Sequence, residues 1–123
     1  MSLARVFQKA GEKVFYIFRE AVRPALFKSI DDTGFEENNR VYPINLIQDS
    51  FQEKDIKYLT FADFIQPNDV KGLVLGKELP SRIHAQTDKI DVKQTDGSIA
   101  QFTVVAYDTD PLEVLYTFLL RRT

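Results

Sequence analysis

A chain of 123 residues, 44% hydrophobic and 28% charged, suits one domain with one core. Its formal net charge of −2 is too small to argue for nucleic acid as a partner on electrostatic grounds. With no cysteine, neither a disulfide framework nor a thiolate metal site can form, which suits a reducing cytoplasm.

No apolar run approaches the ~20 residues needed to span a bilayer. Gln8, Lys9, Glu12 and Lys13 interrupt the apolar centre that a signal peptide would need. Charge is uneven along the chain. Residues 1–30 carry six basic and two acidic side chains, whereas residues 31–55 carry two basic and seven acidic ones. These segments either match each other internally or offer docking faces to different partners.

The spacing predicts a helix over Leu3 to Val22. Leu3, Phe7, Ala10, Val14, Phe18 and Ala21 recur at helical steps, and Pro24 stops the run. Arg5, Lys9 and Lys13 stack on its polar side. They are a solvated face or a contact for an acidic partner surface.

Pro24 to Ser29 reads as a short strand, and Asp31-Asp32-Thr33-Gly34 as a turn. Val41 to Ile47 reads as a second strand, with Val41, Ile44 and Leu46 as candidates for burial. Pro43 makes it an edge or a bulge. Asp49 to Asn68 has no clean period. Its charges at Asp49, Glu53, Lys54, Asp55 and Lys57 oppose wholesale burial. Phe51, Tyr58, Phe61 and Phe64 are too many aromatics for a solvating linker. A long irregular loop is expected there, mobile in the free chain and ordered on assembly. Its candidate interface or channel residues are Asp49, Phe51, Glu53, Asp55, Tyr58, Phe61 and Phe64.

Val70 to Leu75 returns to strand, and Gly76 to Pro80 turns. Gly76-Lys77 is not a phosphate loop, because Glu78 stands where a Ser or Thr is needed. Lys89 to Gln94 alternates, with Ile90 and Val92 on one face. Asp96-Gly97 marks a tight turn, and Ile99 to Tyr107 is β-branched and aromatic. Asp108 to Pro111 breaks that strand, and Val114 to Arg121 closes the chain, with Phe118 and Val104 as expected core residues. The whole is a mainly β single domain over 1–123. Residues 1–23 are the helix, and 24–123 form a small antiparallel β-barrel or sandwich with the loop at 49–68.

No chemistry stands out. His84 is the only histidine, and no group at ligand spacing surrounds it. The paired carboxylates Asp31/Asp32 and Asp108/Asp110 flank turns. No nucleophile elbow or dinucleotide fingerprint is present. No enzymatic activity, cofactor or metal is expected.

The pieces Leu73–Leu79, Asp88-Lys89-Ile90, Phe102-Thr103-Val104, Asp108–Pro111 and Tyr116–Arg121 occur in an order that resembles the head-completion or head–tail joining (stopper) proteins of long-tailed bacteriophages. The resemblance covers roughly residues 41–122. Its departure is Thr87, where the family usually carries glycine. It implies a small barrel or sandwich that assembles as a ring beneath the portal and its adaptor, closes the filled head and receives the tail. The implied partners are the adaptor or portal-side connector, tail proteins and copies of the chain itself. Genomic DNA would pass through the channel without specific binding, and no membrane is involved. The implied location is the virion's head–tail interface, and the host bacterial cytoplasm during assembly. The partner-facing helix would present Arg5, Lys9 and Lys13, and the loop 49–68 would line the channel or grip a neighbour. Two other classes stay open: a cytoplasmic ligand- or peptide-binding β module with a pocket at the barrel mouth, and a nucleic-acid-binding barrel, against which the acidic balance argues.

Overall fold

Ile90 and Val92 have no exposed surface, while Asp91 is half-buried and Lys93 exposed. That period of two is what a strand shows when one face meets a core. The same alternation runs round a closed barrel in a computed structural model that describes residues 12–13, 21–30 and 39–123. Its strands are β1 (Val22–Ser29), β2 (Arg40–Ser50), β3 (Val70–Leu75), β4 (Lys89–Lys93), β5 (Ile99–Thr109) and β6 (Leu115–Arg122). They follow one another round the wall as β1-β2-β3-β6-β5-β4, all neighbours antiparallel. Pairing of β1 with β4, from Ala25↔Val92 to Lys28↔Lys89, closes the ring. Closure leaves no free sheet edge to aggregate. The expected mainly β fold is therefore a barrel.

The interior is filled by side chains. Phe27, Ile44, Leu46, Val74, Ile90, Val92, Phe102, Val104, Phe118 and Leu120 form one buried cluster. The Phe27 and Phe118 rings lie 6.3 Å apart. Val104 and Phe118, expected in the core, are both fully buried. Each side chain of this size contributes roughly 1.5–3 kcal/mol relative to exposure. At one end of the barrel Tyr107 and Tyr116 stack at 5.8 Å, and Leu79 and Ile83, from the link between β3 and β4, pack against the cluster. At the other end Arg23 Nη1 donates to Gln94 Oε1 at 2.9 Å and to Gln48 Oε1 at 3.3 Å.

Both prolines of the first hairpin lie inside strands. Val22 and Arg23 belong to β1, paired with Ile47 and Leu46, so the predicted helix cannot run through Val22, and Pro24 does not end it. The β1–β4 ladder stops at Ala25, so Pro24, with no N–H to give, sits just beyond it. Pro43 lies where β2 has run past the end of β3, so its missing donor breaks no ladder there. Two residues on, the Asn45 N–H is satisfied by Glu78 Oε1 at 3.0 Å instead of by a strand. Val41, expected to be buried, faces outward and is exposed, because the inward set of β2 is Tyr42, Ile44 and Leu46.

Two turns depend on special residues. Gly97 has φ +88°, and Asp96 Oδ1 accepts the Ser98 N–H at 2.9 Å. Gly76 donates to the Val114 carbonyl at 2.7 Å, and a Cβ there would stand 2.1 Å from the Glu113 carbonyl oxygen. On β5, Val104 pairs with Leu120 and Ala106 with Leu119, so Val105 is an extra residue. This bulge switches the alternation and turns Tyr107 inward beside Phe118, with ring centres 6.1 Å apart.

Of the N-terminal helix expected over 1–23, Arg5 and Lys9 lie outside the described residues. Glu12 and Lys13 are helical and exposed, and Glu12 pairs with Lys77 Nζ at 2.9 Å.

Candidate functional site: the segment between β2 and β3

Leu119 has the outward register on β6, since Phe118 and Leu120 point inward, yet it has no exposed surface. The segment 51–69 is tied to that same outer wall. Lys71, paired with Leu119 across the β3–β6 ladder, holds Asp55 by an ion pair of 3.0 Å. Arg121, two residues further along β6, donates to the Phe64 carbonyl at 3.0 Å. On β5, the Asp108 carboxylate accepts the Thr60 N–H at 2.7 Å and also the Thr60 hydroxyl. Three strands thus hold one segment against the outer wall.

The segment is built locally for this. Its first part is a short helix, α1 (Glu53–Tyr58), and a 3-10 turn follows at Ala62–Phe64. Asp55, in the first turn of α1, accepts the Gln52 N–H at 2.7 Å, which helps cap the helix. Burial disfavours the charged form of Asp55. The Gln52 N–H, the hydrogen bond from Lys71 and the Lys71 charge outweigh it and hold the carboxyl below its ordinary value. Phe61 is 3% exposed and meets Phe51 edge-on at 5.9 Å.

The expected candidates therefore divide. Phe61 belongs to the packing of this chain and is not an interface anchor; Phe51 is half-buried against it. Asp55 is neutralised by Lys71, so it adds no free charge for a channel. The expectation of a long loop without structure gives way to a docked helix and turn. Sequence periodicity missed it because α1 buries none of its own residues. Tyr58 and Phe64 remain exposed, at 82% and 64%, and Ile56 is exposed as well. Asp49 and Glu53 are exposed too. Lys71, Asp69 and Arg121, which organise the segment, were not singled out from the sequence for this role.

The opposite wall also exposes apolar side chains. In the strand order β1 stands across the barrel from β6. A groove of about 450 Å³ lies over β1, lined by Pro24, Leu26, Pro43, Asn45, Lys93 and Ile99 among others. Leu26 is 41% and Ile99 59% exposed. A second cavity, of about 490 Å³, lies beside Phe64 between Asp63, Thr103, Arg121 and Arg122.

The buried carboxylate of Asp88 is structural. It accepts the Ile30 N–H at 3.0 Å and the His84 N–H at 2.7 Å, tying the β3–β4 link to the end of β1. Among the described residues, no group of three or more His, Cys, Asp and Glu is placed to hold a metal ion. No described helix is long and apolar enough to cross a membrane.

No protein-family model, no curated protein and no solved structure matches this chain.

Proposed function

We propose that this chain is a structural subunit of the head–tail connector of a long-tailed phage. It assembles as a ring beneath the portal and adaptor, closes the DNA-filled head and joins it to the tail. The observation that carries the reading is where the apolar surface goes. The barrel interior is filled by side chains, and exposed apolar residues stand on opposite outer walls, Leu26 and Ile99 on one and Ile56, Tyr58 and Phe64 on the other. Such a molecule is suited to contacts with other proteins on both sides. A barrel-mouth binding module needs interior room, whereas among the described residues the interior is packed and the cavities over β1 and beside Phe64 lie on the outside. The order of turns and strands that resembles the head-completion proteins supplies the assembly.

Mixing the chain with assembled portal–adaptor rings and imaging them by cryo-electron microscopy tests this. A new ring of density beyond the adaptor is the expected result. Particles identical with and without the chain would overturn it.

A further inference from the structure

We infer that the segment 51–69, through its exposed aromatics Tyr58 and Phe64, docks into the groove over β1 of a second copy of this chain, head to tail. The inference rests on the connector reading and names the contact between subunits within it.

The two surfaces stand on opposite walls. The ridge is a short segment that leaves Tyr58, Phe64 and Ile56 exposed and that Lys71, Asp108 and Arg121 hold against β3, β5 and β6. Their backbone is already fixed, so docking costs little ordering of the segment. The groove is lined mainly by apolar residues, Pro24, Ala25, Leu26, Pro43 and Ile99 among them. An aromatic side chain that enters such a groove buries large area with few rotors.

Charge agrees with the pairing. Lys93 lines the groove, and it has no ion-pair partner among the described residues. Asp63 stands next to Phe64, exposed and equally without an ion pair there. Asp91, the groove's acidic residue, is already held by Lys28 at 2.6 Å, so it does not oppose an incoming carboxylate as a free charge would. A ridge seated in the groove would bring Asp63 toward Lys93.

Symmetry sets the consequence. A ridge and a groove on opposite walls cannot satisfy each other within one two-fold dimer built on a single patch. Each copy uses its ridge on one neighbour and offers its groove to another, which gives a closed ring or an open filament. A single contact of this size is weak, and closure of the ring makes the set favourable.

The absence of cysteine gives a direct test. Chains carrying Lys57→Cys and chains carrying Ser98→Cys, one of them mass-tagged, are mixed and oxidised. Both sites are exposed and stand next to Tyr58 and Ile99, which keep their side chains, so neither change should disturb the fold or remove the contact. The 57–98 heterodimer is expected as the dominant cross-linked product. Chains with both substitutions should run as a ladder beyond the dimer. A Ser81→Cys chain, exposed in the link between β3 and β4, is the control partner for Ser98→Cys. The contact is overturned if the 57–98 product does not exceed that control, or if either homodimer dominates. The outcomes separate the two readings. A ladder without added density on portal–adaptor rings keeps the contact and removes the connector reading. Ring density without the 57–98 cross-link does the reverse.

Discussion

Arg121 grips Asp69 with both arms of its guanidinium. Nε donates to Oδ1 at 3.0 Å, and Nη2 to Oδ2 at 2.9 Å. The Asp69 side chain is almost fully buried, and its oxygens are satisfied by this fork and by the Gln66 N–H at 2.7 Å. The fork carries the start of β3 and, through the Phe64 carbonyl, the 3-10 turn. Arg121→Ala leaves a buried carboxylate without its cation. Because Arg121 itself is partly exposed, the expected loss is about 1–3 kcal/mol, below the usual figure for a buried pair. Arg121→Lys keeps the charge but not the fork, and should recover only part of the loss. Urea titration checks this. Full recovery by lysine would mean that geometry is unimportant.

Phe118→Ala should cost ~3–5 kcal/mol, because the ring is fully buried and three other rings surround it. Phe64→Ala, on an exposed ring, should shift free-chain stability by no more than about 0.5 kcal/mol. The contrast separates a core aromatic from one free to meet a partner. Equal losses from the two substitutions would show that Phe64 supports the fold.

Asp88→Ala removes the acceptor for two backbone donors, those of Ile30 and His84, at a fully buried site. An expected loss of roughly 3 kcal/mol follows from leaving both unsatisfied. Asp88→Asn retains one carbonyl oxygen and should lose less. Thermal unfolding of the two variants gives the order, and a harmless Asp88→Ala would mean that water replaces the carboxylate.

The meander of β4, β5 and β6 was legible because one wall of a barrel has one packed face. Ile90 with Val92, and Phe118 with Leu120, repeat at two residues, and Gly97 marks the turn between β4 and β5. The bulge at Val105 was not legible, since an extra residue leaves no compositional mark. Val22 continued the helical stripe in sequence but pairs with Ile47 in space. The segment 51–69 was the hardest. Its stability comes from Lys71, Asp108 and Arg121, all distant in sequence, and local periodicity holds no record of such pairs. The excess of aromatics there did mark something real, although Phe61 turned inward and Tyr58 and Phe64 did not.

Acid should loosen the chain at two places. Asp110 accepts the N–H groups of Leu112, Val114 and Leu115, at 3.1, 2.8 and 2.7 Å, which orders the turn into β6. Burial disfavours its charge, but these donors outweigh burial and hold the carboxyl below its ordinary value, as the Gln52 N–H and Lys71 do for Asp55. For both groups the folded chain holds its proton less tightly than the unfolded chain. In the window below the ordinary value of 3.8 the unfolded chain therefore binds protons that the folded chain does not. Their stabilisation is complete above that window and is lost as pH falls through the lowered folded values. Urea midpoints should be insensitive to these two groups between about pH 5 and 7, and should fall below about pH 4. Asp55→Asn and Asp110→Asn should each start lower at neutral pH and fall less steeply in acid. In the same window the Leu59 amide, which donates to the Asp55 carbonyl at 3.0 Å, should lose protection as the Lys71 pair breaks and α1 comes off the wall. An acid slope as steep in both variants as in the unsubstituted chain would place the acid sensitivity on other carboxylates.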